Sequence, residues 1–429
     1  MMAHRKRQAS IGVIFLTVFL DLVGFGIVLP MLPIFSRDFG ASGWIIGIIS
    51  ASFSAKQFLF APAWGRLSDR VGRRPVMLAS LAASTLSYAV FALGSSLESH
   101  AAALAVLLAS RILAGICGAN ITVAQAYIAD ITPPEKRSKR LGLIGMAFGL
   151  GFIFGPFIGS ESLKWFGMSG PGWVAAAFCG INFLYAVFAL PESWKPASSE
   201  HASTRPRVST WREVLRRPGV GLLIHTFGLA TFAFACFETT LGLLIMRNFH
   251  LDVKHDVNAQ ATVGYLYALS GVIGAIVQGG LIGRLVKQFG EARLVGFSLL
   301  LTAAALLPMP LITGAGYLSF KALFQSSGGP WALLLLLLAL LSIGTALTRP
   351  PLFGLLTTLT PAHEQGMTIG VAQSVGSLAR ILGPMFAASL FFWNPLIPYA
   401  FCSAVLIGAG WRLKQLFGKA TPVLLPAKP

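Results

Sequence analysis

Acidic residues are scarce in this chain: 15 Asp and Glu among 429 residues, against 33 Lys and Arg, so that charged side chains make up only 11% of it. A soluble domain carries about a quarter. That deficit, with 55% hydrophobic residues and a mean hydropathy of +0.73, excludes an ordinary water-soluble globule and makes lipid the expected solvent. Cysteine is equally sparse. Cys117, Cys179, Cys236 and Cys402 stand singly inside apolar runs, with no C-x-x-C or histidine-rich spacing. No disulfide framework and no metal site is therefore expected, and the four read as small packing residues. A G-x-x-x-x-G-K-[ST] loop is missing, which excludes ATP as the direct drive, and no cofactor is expected. Neither an H-E-x-x-H helix nor a facing Ser/His/Asp set points to an enzyme. The net charge of +18 does not indicate nucleic acid either, because the basic residues lie in short loops between apolar runs and form no basic face.

Long apolar runs are what the chain does have. A helix needs about 20 mainly apolar residues to cross roughly 30 Å of hydrocarbon. Twelve such runs begin near Ile11, Trp44, Val76, Ala101, Leu141, Trp173, Gly219, Ala261, Leu294, Trp331, Met367 and Pro395. The first carries Asp21, continues to Pro33 and lacks a small-residue cleavage pattern, so it reads as span one and not as a signal peptide. Placing both termini in the cytoplasm puts 24 of the 33 basic residues on that side, five outside (Arg37, Lys164, Arg247, Lys254, Lys321) and four within spans. This asymmetry fixes the expected orientation. The longest loop, 191–218, is rich in Pro, Ser and charge and reads as a linker between a six-helix bundle at 1–190 and another at 219–429. Two echoes cross it. Gly65-Arg66-Leu67 with Gly72 recurs as Gly283-Arg284-Leu285 with Gly290, and Gly142 with Gly155-Pro156 recurs as Gly370 with Gly383-Pro384. The expected fold is all-α, with two parallel repeats of six helices and a substrate site at their interface near mid-membrane.

The loop Gly65-Arg66-Leu67-Ser68-Asp69-Arg70-Val71-Gly72-Arg73-Arg74 is more than a basic loop, since the positive-inside rule asks for neither an Asp at a fixed step nor glycines at fixed spacing. It resembles the G-x-L-[AS]-D-[RK]-x-G-[RK]-[RK] signature of the major facilitator superfamily. Span one carries Asp21-Leu22-Val23-Gly24-Phe25-Gly26 and ends Leu29-Pro30-Met31-Leu32-Pro33; span four carries Ser110-Arg111-Ile112-Leu113-Ala114-Gly115 with Gly118-Ala119. Span five carries Gly145, Gly149, Gly151, Gly155-Pro156 and Gly159, and span eleven opens His363-Glu364-Gln365-Gly366. Together these resemble the drug/proton antiporter branch that includes the bacterial tetracycline/proton antiporters. The resemblance implies a conformational latch of Gly65, Asp69, Arg70, Gly72, Arg73 and Asp130. In it Asp69 caps the N-terminus of span eleven and Arg73 pairs with Asp130 at the end of span four. It also implies an antiporter motif of Gly151, Gly155, Pro156 and Gly159 in a span five that moves against a partner. The spacing of those glycines alone speaks for close helix packing.

A charge at the bilayer centre costs roughly 2.5 to 3.5 kcal/mol on insertion scales, so an intramembrane ionisable group marks function by default. Asp21 lies about ten residues into span one, about 15 Å deep. Burial there disfavours its charged form, which suits a group that gains and loses protons. Arg111 keeps its charge at any physiological pH and therefore cannot carry the proton, but it can hold an acid ionised. Proton coupling is assigned to Asp21, Arg111 and Glu238, and substrate binding to Asp21, Lys56, Gln57, Gln125, Glu238, Arg349 and Arg380. Lys56, Arg349 and Arg380 depart from the tetracycline pattern, as does Ser87 where an acid is expected in span three. Four deep cations against two clear acids, Asp21 and Glu238, suggest a cavity for an anionic or zwitterionic amphipathic molecule, with Lys56 pairing with Asp21 when it is empty. The bland alternative is that some cations snorkel to water.

The expected function is proton-coupled export of small amphipathic organic molecules by alternating access. A nutrient facilitator or symporter, or a carrier of lipid-like amphipaths, is the alternative. The expected partners are a small-molecule substrate, protons and membrane lipid, with no nucleic acid and a monomeric chain in a bacterial inner membrane. His225 reads as a hydrogen-bonded packing residue, Tyr127 and Trp393 as interfacial anchors, and Glu161 as a wet residue near the outer end of span five.

Overall fold

A computed structural model describes residues 10–118, 120–193, 208–252, 257–319, 328–361 and 364–419. The linker segment 194–207, together with Ala119, Lys254, Lys321 and His363, lies outside them. Among the described residues there are helices and no strand. Twelve helices are long and apolar enough to cross a membrane: spans one to six are Ile11–Asp38, Gly43–Val71, Arg73–Ser95, His100–Asp130, Met146–Phe166 and Gly170–Ala189. Spans seven to twelve are Gly219–Asn248, Ala261–Phe289, Glu291–Leu311, Gly329–Thr358, Met367–Phe391 and Leu396–Gln415. The span-five helix starts earlier than its apolar run, at Pro134, where the proline stands at the first helical position and its missing N–H is no loss.

The chain divides into two compact units. One takes spans one to six, apart from Ser42–Gly47, and span eight as far as Gly271; the other takes Ser42–Gly47, span seven, span eight from Val272, and spans nine to twelve. Within the first, span one packs on spans five and six, and span three on spans four and six. The second repeats that scheme, with span seven on span eleven and span nine on spans ten and twelve. The sequence echoes fall on this pattern. Gly72 and Gly290, which open spans three and nine, both take positive φ, 101° and 78°, a conformation that side-chain-bearing residues avoid. Large apolar side chains such as Phe188, Leu229, Phe297 and Trp411 are exposed, as lipid-facing residues are. The core of the first unit gathers Ile14, Val18, Leu22, Met77, Leu81, Val123 and Tyr127.

The glycines of span five have a definite partner. A methyl group added at Gly155 would lie 2.6 Å from the backbone of Gly26, one at Gly159 2.6 Å from the Ile27 carbonyl oxygen, and one at Gly151 2.9 Å from Leu22. Spans one and five thus touch backbone to backbone, which only small residues permit. Gly149, by contrast, has nothing within 4 Å. Pro156 sits inside this helix, and its carbonyl faces Gly264 of span eight within the same unit.

Span four is not one helix. It runs His100–Cys117, breaks at Gly118, and resumes as Asn120–Asp130. Backbone carbonyls freed inside a membrane need donors. Here side chains of spans two and three supply them: Trp64 donates to the Ile116 oxygen, Ser80 to that of Cys117, and Gln57 to that of Gly118 at 3.3 Å.

Candidate functional site

Three groups of polar residues stand out against this apolar frame, two in the first unit and one in the second. The first surrounds the signature loop. Arg73, only 8% exposed, places its guanidinium between two carboxylates: Nη1 is 2.5 Å from Asp69 and Nε donates to Asp130 at 3.0 Å. It also donates to the Ser68 hydroxyl at 2.7 Å. The sharp turn at Gly72 brings the Arg73 and Arg74 backbone N–H groups, the unsatisfied donors of the span-three N-terminus, against Glu192 at 2.9 and 3.1 Å. Arg74 donates to the Leu190 and Val187 oxygens, Tyr127 to the Pro191 oxygen, and Ser193 to Asp130. Arg70 is exposed on the last turn of span two, and Gly65 faces Thr122 with room to spare. Glu192 is a member of this site that sequence reasoning missed, because it lies 119 residues from the N–H it caps. Tyr127 is a correction: it is fully buried beneath the start of the linker, not an interfacial anchor, whereas Trp393 is 79% exposed.

The second group lies deep in the same unit. Asp21 is half-buried, with Asn120 and Ser84 as polar neighbours. Arg111 is 1% exposed, and the rings of Phe53, Tyr88 and Phe91 surround its guanidinium at 5.9, 5.6 and 5.9 Å. Its Nε and Nη2 have no hydrogen-bond partner among the described residues. Aromatic faces are what this cation has instead of water. Ser87, at the position where an acid was expected, donates to the Ser110 oxygen at 2.7 Å. Lys56 forms no ion pair among the described residues; its stem lies against Gly115, so the expected pairing with Asp21 is not present. Gln57 is tied to the break in span four, and Gln125 is exposed.

The third group belongs to the second unit. Arg380 is within electrostatic range of both Glu238 and Arg349, and donates to Ser377 at 3.2 Å. Arg349, exposed, has the rings of Phe227 and Phe353 each 5.8 Å from its guanidinium. These rings cross edge to face at 5.1 Å. Two cations and one acid thus lie within electrostatic range of one another, with aromatic rings beside Arg349. Outside the spans, Arg217 pairs with Glu364 and Glu213; the Glu364 carboxylate pushes its pKa further up, so it stays charged. Of the residues expected to be bland, His225 bonds to the Gly221 oxygen of its own helix, and Glu161 accepts from Tyr265 at 2.8 Å.

The family model of the Major Facilitator Superfamily matches residues 14–384 and 281–424. The chain belongs to that superfamily. It is 32% identical to the class E tetracycline resistance protein of Escherichia coli over 87% of this chain and 86% of that one. It is 29% identical to multidrug resistance protein 2 of Bacillus subtilis over 96% and 97%. Among solved structures it resembles the human organic anion transporter MFSD10 (TETRAN), with a TM-score of 0.66, 26% identity and coverage of 94% and 98%. As a major facilitator superfamily member it is an integral membrane transporter and not an enzyme, and its relatives include drug efflux proteins.

Proposed function

We propose that the protein exports small amphipathic organic anions or zwitterions, driven by proton entry and working by alternating access. The observation that carries the reading is the Arg349–Arg380 pair, two neighbouring intramembrane cations with Glu238 as the acid near Arg380 and aromatic rings beside Arg349. A cationic drug would be repelled there; a carboxylate or sulfonate attached to a ring system would find both its charge and its apolar body matched. The kinship with efflux proteins and with an organic anion transporter supports the same reading. Asp21 is the coupling acid, with Arg111 as its fixed counter-charge and Glu238 as the acid of the second unit. Lys56, Gln57 and Gln125 contribute to binding in the first unit. Asp69, Arg70, Arg73 and Asp130, with Gly65 and Gly72 shaping the loop, latch one conformation. The protein resides in a bacterial inner membrane with both termini cytoplasmic.

The test is reconstitution into proteoliposomes with an imposed pH gradient and a panel of fluorescent anions, zwitterions and organic cations. Native protein moves the anions uphill, and Asp21→Asn loses gradient-driven transport while still binding. Transport confined to organic cations, unaffected by Arg349→Ala and Arg380→Ala, overturns the anion reading.

A further inference from the structure

Arg349 is an intramembrane cation flanked by rings. Among the described residues it makes no ion pair, and beside its guanidinium stand the Phe227 ring of span seven and the Phe353 ring of its own span ten, each 5.8 Å away. Phe353 follows Arg349 by one turn on the same helix face, so that contact is local. Phe227 comes from another helix and has to be placed. It is 4% exposed, and its ring meets Phe353 edge to face, at 83° and 5.1 Å between centroids.

What places it is a missing side chain. A methyl group added at Gly376 of span eleven would lie 2.7 Å from Phe227 Cε1 and 3.2 Å from Cζ, closer than carbon atoms approach without a shift. The ring occupies the room that a side chain at 376 would take. The neighbouring pair repeats the fit in reverse, since a methyl group at Gly228 would lie 2.6 Å from Val375 Cγ1. Phe227 and Gly228 thus interlock with Gly376 and Val375. Close helix packing alone asks for small residues here; it does not ask that the ring so admitted be one of the two that flank a membrane arginine. A ring driven off Gly376 disturbs its contact with Phe353 and its contact with Arg349 together.

The chemistry at stake is directional. A guanidinium presents its N–H donors in one plane and matches a carboxylate bidentately only when that plane is set. Rings beside it can set the plane while leaving the donors free. One turn beyond Gly376, span eleven carries Arg380, whose Nη2 donates to Ser377 at 3.2 Å.

We propose that Gly376 is a specificity-determining positioning residue: by leaving room for the Phe227 ring it fixes the Arg349 guanidinium for bidentate capture of an aryl carboxylate. The inference rests on the anion reading proposed above and names the class of anion.

The test compares the binding of tritiated 2-naphthoate with that of tritiated methyl 2-naphthoate, which keeps the rings and loses the charge, on protein in lipid nanodiscs at pH 7. Gly376→Ala weakens the acid about tenfold, the scale of a lost charge-assisted hydrogen bond, and leaves the ester at its native affinity. Phe227→Leu removes ring and clash together; it weakens the acid too, and adding Gly376→Ala to it costs less than a further factor of about two. The double variant guards against a folding defect, since there the new methyl group meets a smaller side chain. Acid and ester weakened alike in Gly376→Ala mean blocked space and overturn the proposal. So does an equal cost of Gly376→Ala in the native and Phe227→Leu backgrounds. The two readings fail separately. If native protein binds ester as tightly as acid and Arg349→Ala weakens neither, the anion reading falls. If Arg349→Ala abolishes acid binding while Gly376→Ala binds both probes as native protein does, only the role of Gly376 falls.

Discussion

The two repeats share a scaffold but not a charge pattern. Each opens its third helix with a glycine at positive φ, and each packs its first helix against its fifth. Yet Gly72 stands in a network of Asp69, Arg73, Asp130, Arg74 and Glu192, whereas Arg284, Lys287 and Arg293 around Gly290 make no ion pair among the described residues. In the membrane the contrast reverses. The first unit encloses Arg111 away from water among aromatic rings, and the second leaves Arg349 exposed with Arg380 close by. The duplicated fold thus differs by charge: the ion-pair network surrounds the loop of one copy, and the neighbouring intramembrane cations lie in the other.

Substitutions that treat equivalent positions alike should separate the copies. The largest effect is expected at the buried cation: Arg111→Ala removes the charge its aromatic rings enclose and lowers gradient-driven uptake by about 100-fold, as loss of a functional intramembrane charge would. Arg349→Ala, at an exposed site, lowers it by about tenfold and mainly raises the anion concentration needed for half-maximal rate. Equal losses in the two variants erase the division of labour. Next comes Gly155→Val, where the new side chain meets the backbone of Gly26; overpacking of about 1–3 kcal/mol lowers Tm by about 5 °C. Gly383→Val meets the Ala235 Cβ at 2.9 Å, a less severe approach than the 2.6 Å at Gly155, and lowers Tm by about half as much. Smaller again is Asp130→Asn, which slows transport by about tenfold in the same liposomes while Arg284→Gln changes it by less than about twofold. The smallest is Arg217→Ala: its pairs with Glu213 and Glu364 lie near the surface, and a thermal scan shifts by less than about 2 °C.

Most of the architecture was legible because lipid leaves the chain little choice: twelve runs of the right length, sided by Lys and Arg, give twelve helices. The Arg73–Asp130 contact was legible for another reason, since fixed spacing in the loop carried a resemblance that composition alone does not. What escaped was whatever depends on distant packing. The break in span four shows only as Gly118, one glycine among 46, and its meaning comes from the Trp64, Ser80 and Gln57 side chains that accept the loose carbonyls' geometry by donating to them. Tyr127 has the look of an aromatic belt residue by its place near a helix end, and only its packing among Ile14, Val18, Leu22, Met77 and Leu190 makes it core. Lys56 and Asp21 make no ion pair, and the stem of Lys56 lies against Gly115 on span four.

The four residues Leu190, Pro191, Glu192 and Ser193 all receive or return hydrogen bonds to the signature loop and the end of span four. This fixes where the polypeptide can be divided. A gene split after Ser193 leaves every one of these bonds inside the N-terminal fragment, and the two fragments, made as separate chains in one membrane, should still assemble into a working carrier. A split a few residues earlier, before Leu190, hands the cap of span three to the wrong polypeptide.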